Sequence, residues 1–239
     1  MPGIGFEGRW QADKEEYVFP ERNPLALSSV TTDQERSATG TGPVIDVSPE
    51  LALARQFEER LRRATRDGAF LALTVPPAQH DAAREELCRR FPVQAVDFEN
   101  LFLRALKDAA VREKIEDWQM VLEADAAPRE SEDWRNLSRL IGRALPAVEK
   151  EVMAADRTVL ILYPGPLARY RRMDMMERLR DRVGRPGTPP ALWVLIPSDD
   201  QHELPTLDGC PVPVLTPGQR ARIPVAWVYN RHRAATTSA

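Results

Sequence analysis

The sequence predicts an α/β protein: a three-layer, open, mostly parallel sheet of about five or six strands with helices on both faces, spanning residues 48–233. Two observations predict it. Short continuous apolar runs such as Phe70–Val75, Thr158–Tyr163 and Ala191–Ile196 have the length and β-branched content of strands buried on both faces. Between the runs lie stretches with apolar residues three and four apart, and that alternation is the mark of βαβ units.

Residues 1–47 are rich in Pro, Gly, Ser and Thr and hold no period beyond one turn, so an extended or partly disordered arm is expected. Its aromatics, Phe6, Trp10, Tyr17 and Phe19, suit contact with the core or a partner. Ser48 then reads as an N-cap, with Pro49 at the first helical position and Glu50 at the positive end of the dipole. Leu51, Ala54, Phe57 and Leu61 give the buried stripe, and Gly68 ends the helix. The strand Phe70–Val75 stops at Pro76 and Pro77, and a helix over Ala78–Arg90 follows. Val93–Val96 reads as a second strand, Phe98–Glu113 as a helix and Trp118–Leu122 as a third strand. Ser131 caps a helix carrying Trp134, Leu137, Ile141 and Leu145. Thr158–Tyr163 has the strongest β signal, and Pro166 opens one amphipathic helix that reaches Val183. Ala191–Ile196 is the fifth strand, and Val212–Leu215, bracketed by prolines, is an expected edge strand. Trp227 is expected to dock the C-terminal segment on the sheet, and residues 234–239 form a disordered tail.

The chain has 239 residues, 43% hydrophobic and 29% charged, with a mean hydropathy of −0.42. No apolar run approaches the ~18 residues of a membrane span. Cys88 and Cys210 sit in unrelated contexts and suit a reducing compartment, so a cytoplasmic protein is expected. Charge is uneven: residues 1–156 carry 21 basic and 29 acidic residues, whereas 157–239 carry 12 and 7. The basic part suits an acidic partner or nucleic acid, or is simply a solvated Arg-rich helix.

The familiar nucleotide motifs are missing. No G-x-x-x-x-G-K-[ST], G-x-G-x-x-G or G-x-S-x-G occurs, and Pro76 and Pro77 remove N–H donors where a phosphate loop needs them. The core therefore reads as Rossmann-like, or P-loop-like without a P-loop. His80, His202 and His232 are too scattered for a zinc site, and no metal or cofactor is expected.

Ligands of an open parallel sheet sit beyond the carboxyl ends of its strands. The residues there are His80 and Asp81; Glu123 and Asp125; Tyr163, Pro164 and Gly165 with Arg169; and Ser198, Asp199 and Asp200. Tyr163, Pro164, Gly165, Asp199 and Asp200 form a candidate sheet-edge loop site. Gly165 supplies the conformational freedom of its turn. Carboxylates at Asp125, Asp199 and Asp200 offer a second reading, Mg²⁺-assisted phosphoryl chemistry. Beyond that turn, Arg169, Arg171, Arg172, Arg178 and Arg182 make one basic helix surface, a candidate partner-binding face; Asp174, Glu177 and Asp181 stand at pairing distance along it.

The segments Gly68-Ala69-Phe70-Leu71-Ala72-Leu73-Thr74-Val75, Val159 to Leu167 with its Tyr163-Pro164-Gly165 turn, and Trp193-Val194-Leu195-Ile196-Pro197 resemble the BrxB family of bacteriophage exclusion (BREX) defence systems, in a divergent actinobacterial form. The resemblance covers roughly residues 50–200; a relation to the PglW or PglZ neighbourhood of type 2 systems stays open beside it. It implies a small accessory protein without established catalysis, bound to a PglZ-like phosphatase and a PglX-like methyltransferase and touching nucleic acid only indirectly. The leading expectation is thus a non-enzymatic adaptor of an antiphage system, in which charge reversal at Arg169 and Arg172 breaks partner binding and leaves the melt unchanged. The alternatives are a metal-dependent phosphohydrolase or nuclease and a degenerate nucleotide-sensing module.

Overall fold

In a computed structural model, the structure describes residues 10–11, 16–17, 48–199 and 204–229. The chain divides into two units, Met1–Ile45 and Asp46–Ala239. In the first, the described residues are two short strands, β1 (Trp10–Gln11) and β2 (Glu16–Tyr17), paired antiparallel. The rest of the expected arm and the expected tail at 234–239 lie outside the described residues.

The second unit is an α/β sandwich around a five-stranded, wholly parallel sheet. Its strands are β3 (Phe70–Val75), β4 (Val93–Asp97), β5 (Thr158–Leu162), β6 (Leu192–Pro197) and β9 (Arg220–Arg222), in the order β4-β5-β6-β3-β9. Phe70 lies opposite Leu192, Val159 opposite Leu192, Val93 opposite Thr158, and Ala72 opposite Arg220. Alternate residues of the central strands feed two cores. Phe70, Ala72, Val159, Ile161, Val194 and Ile196 face one side. There they meet α3 (Phe98–Arg112), α4 (Trp118–Ala126), α5 (Glu132–Met153), α6 (Gly165–Arg169) and α7 (Met173–Arg182). Leu71, Leu73, Leu160, Trp193 and Leu195 face the other side, with α1 (Pro49–Asp67), α2 (His80–Arg90) and α8 (Val225–Val228). Covering both faces with helices is why these strands read as unbroken apolar runs. An antiparallel hairpin, β7 (Thr206–Leu207) with β8 (Cys210–Pro211), follows β6.

Several helix ends follow local chemistry. Gly68 ends α1 in the left-handed conformation, φ 74°. Asp97, Asp117 and Ser131 cap α3, α4 and α5 by accepting N–H bonds from Asn100, Gln119 and Trp134. Ser48 precedes α1, but its side chain makes no capping bond; Pro49 already removes one of the donors to be satisfied.

The structure corrects other expectations. Trp118–Leu122 is helical, because the Asp117 cap starts a helix that buries Val121 alone and leaves Met120 and Leu122 exposed. The single helix expected from Pro166 to Val183 is two, α6 and α7, broken at Tyr170–Arg172, where Arg171 takes φ 55°. Val212–Leu215 forms no strand; the sheet's edges are β4 and β9, the latter short and lying between Pro217 and Pro224. Trp227 is fully buried, with its ring edge-on to Phe57 of α1 at 5.1 Å and beneath the Arg90 guanidinium of α2 at 4.2 Å. It therefore anchors the C-terminal segment to helices as well as to the sheet core.

Candidate functional site

The carboxyl ends of β5 and β6 open into a cavity of about 500 Å³. Its floor begins where β5 stops. Leu162 is buried, and the next residue, Tyr163, turns out of the sheet with φ 53°. The residue with the unusual backbone is thus Tyr163, not Gly165, which begins α6. An aromatic side chain rarely adopts that region, so the surrounding contacts must hold it there. Pro164 is buried beneath, and the His80 ring lies 5.4 Å from the Tyr163 ring. His80 opens α2, which follows β3, and Tyr163 comes from the loop after β5. The pair therefore bridges two strand ends that β6 separates.

The opposite wall is aromatic and ionic. Tyr170 lies between Phe102 of α3 (5.6 Å between centroids) and Trp134 of α5 (5.9 Å). Its hydroxyl donates to Asp125 Oδ1 at 2.9 Å. The Arg169 guanidinium donates to the same carboxylate, Nη2 to Oδ2 at 2.7 Å and Nε to Oδ1 at 3.3 Å. The Arg169 guanidinium carbon also lies 5.7 Å from the Tyr170 ring. Burial holds the Tyr170 hydroxyl above its usual pKa, and its bond to Asp125 acts in the same direction. The hydrogen bond to Asp125 holds the Arg169 pKa above its usual value. The break between α6 and α7 is pinned by Arg172, whose Nη2 donates to the Ser138 carbonyl at 2.7 Å and to its hydroxyl at 3.1 Å.

Two carboxylates complete the rim. Glu99 stands in the first turn of α3, and Asp208 sits at the β7–β8 turn with φ 45°. Neither makes an ion pair among the described residues. The lining side chains thus carry three carboxylates and one guanidinium, and that guanidinium is already paired.

Among the expected sheet-edge residues, Tyr163, Pro164 and Gly165 line the cavity. Asp199 is exposed beyond β6 and does not line it, and Asp200 lies outside the described residues. The expected arginines are spread over α6, the break after it and α7, and four of the five hold partners of their own. Arg169 pairs with Asp125 and Arg172 reaches Ser138. Arg178 and Arg182 both pair with Glu149 of α5, at 3.0 and 2.6 Å, and Arg178 also pairs with Asp174 at 2.6 Å. Arg171 is exposed. Spacing along one helix revealed the Asp174 partner but not Glu149, which comes from another element. The carboxylate reading fares no better: Asp125 belongs to helix α4 and is taken by Arg169 and Tyr170. Among the described residues no three His, Cys, Asp or Glu side chains gather to hold a metal ion.

Sequence reasoning missed Glu99, Phe102 and Asp208. Two signals point to the carboxylates: Glu99 stands two residues beyond the strand end at Asp97, and Asp208-Gly209 is a hairpin-turn dipeptide. Among the described residues no helix is long and apolar enough to cross a membrane.

No family model matches the chain, and no solved structure matches it. The chain is 32% identical over 228 residues to a Streptomyces coelicolor protein named probable kinase PglW. The alignment covers 91% of this chain and 14% of that protein, so the chain spans a small part of its relative's length. This finding corrects the expectation of a non-enzymatic protein, because the relative is named as an enzyme, a kinase.

Proposed function

We propose that this chain is the α/β unit of a PglW-type kinase system in bacteriophage-exclusion defence, and that its carboxyl-end cavity is where it recognises another component of that system. The observation that carries the reading is the 32% identity extending over 91% of the chain to a protein named a probable kinase. The reaction in which the unit takes part is then phosphoryl transfer from ATP. The cavity serves recognition: it combines exposed aromatic surface with fixed charges, as binding sites on open parallel sheets do. The BrxB likeness belongs to the same proposal, since its Tyr163-Pro164-Gly165 segment forms the cavity floor. PglZ-like and PglX-like proteins remain the proposed partners, and Arg171, exposed and without an ion pair among the described residues, is an arginine of the basic segment placed to meet one.

The test is made in the native operon. Deleting this coding segment should abolish protection in a phage plating assay. It should also remove ³²P transfer from labelled ATP in the affinity-purified assembly. Full protection and undiminished transfer after deletion would overturn the reading.

A further inference from the structure

The cavity contains a worked example of the ligand chemistry it favours. Arg169 is held there by a bidentate contact to Asp125 while its guanidinium lies beside the Tyr170 ring. A carboxylate and an aromatic face together are the arrangement that binds a guanidinium best. A second set of the same parts is unused. Tyr163 is 39% exposed, and Glu99 and Asp208 line the same cavity with no ion pair among the described residues. Asp208 also stands close to the floor, its Oδ2 3.7 Å from the place a side chain on Gly165 would occupy.

We infer that the cavity binds an arginine-bearing peptide segment of a partner protein, with the arginine between Tyr163 and the carboxylates of Glu99 and Asp208. This rests on the reading of the cavity as a recognition surface and names the chemistry of what it recognises. Charge decides the sign of the ligand: two unpaired carboxylates repel a nucleotide or an acidic peptide and attract a cation. The walls decide its shape. Leu103 is partly exposed beside the Phe102–Tyr170 stack, and Pro166 and Pro197 add rigid apolar surface without N–H donors. A volume of about 500 Å³ suits a few side chains rather than a folded domain. Arginine fits better than lysine, because a planar fork can meet a carboxylate and stack on a ring at once.

The test uses the purified full chain and fluorescein-labelled hexapeptides of alternating Arg and Leu, Lys and Leu, or Glu and Leu, read by anisotropy. The Arg peptide should bind saturably and more tightly than the Lys peptide, and the Glu peptide should not bind. Glu99→Gln combined with Asp208→Asn should weaken the Arg peptide about tenfold or more without lowering the melting temperature, since both side chains are exposed. Tyr163→Ala should also weaken it. No saturable binding of the Arg peptide at millimolar concentration, equal binding of the Glu peptide, or indifference to the double substitution would overturn the inference. Because this assay needs neither kinase nor phage, its failure is separable from failure of the deletion test.

Discussion

Gly184 lies against Gly68 so closely that a Cβ on Gly184 would stand 2.9 Å from the Gly68 carbonyl oxygen. The contact joins the end of α1 to the turn after α7, and both glycines have positive φ, 74° and 77°. Gly184→Ala meets backbone on both counts and should destabilise the fold by about 1–3 kcal/mol, read as a fall in melting temperature. Gly187 is the control: its φ is 78°, but open space surrounds it, so Gly187→Ala should show only the smaller backbone penalty.

Arg90 ties three helices on one face of the sheet. Its side chain is 2% exposed, bonding Glu86 at 2.6 Å, Glu58 at 3.3 Å and the Trp227 carbonyl at 2.9 Å, with the Trp227 ring beneath. Arg90→Ala removes the buried cation and the donor to the Trp227 carbonyl, while Glu58 keeps Arg62 at 2.6 Å and Glu86 keeps Arg89 at 2.6 Å. The expected loss is about 1–3 kcal/mol in denaturant unfolding. Restoration by Arg90→Met to within about 1 kcal/mol of the parent would show that packing, not charge, carries the contact.

His80 makes stability depend on pH. Burial pushes its pKa below the usual value, against the opposing pull of Asp81. The unfolded chain then takes up a proton as pH falls below about 6.5 while the folded chain resists, so stability is complete above that pH and declines below it. His80→Phe keeps a ring against Tyr163 and removes the buried Nε2, which has no hydrogen-bond partner. Melting curves between pH 7.5 and pH 5 should be flatter for the variant. Parallel curves for the two proteins would refute the assignment.

Arg171 and Arg172 are neighbours with different tasks. Arg171 is exposed, so Arg171→Glu should leave the melting temperature unchanged. Arg172 holds Ser138 through two bonds across the α6–α7 break, so Arg172→Glu should destabilise by about 1–3 kcal/mol. This replaces the expectation that charge reversal at Arg172 is harmless. A partner-binding defect in Arg172 variants must therefore be read against folding, whereas one in Arg171 variants is direct.

The parts of this fold that rest on short stretches of chain were legible in the sequence. Phe70–Val75, Thr158–Leu162 and Leu192–Pro197 could be read because a strand covered on both faces is apolar at every position. The Gly68 stop and the Ser131 cap followed from single residues. What failed turned on a local cap in one place and on distant partners in another. The stretch from Trp118 to Leu122 suits a strand by composition, and the Asp117 cap with one buried residue makes it a helix. The helix break at Tyr170–Arg172 has no Pro or Gly to announce it; the Phe102 and Trp134 rings and the Ser138 acceptor, all from other helices, hold it. The candidate site was half legible. The distinctive Tyr163-Pro164-Gly165 turn could be singled out in the chain. That Glu99, Asp125 and Asp208 meet it in one cavity depended on the order of strands in the sheet, which periodicity along the chain does not encode.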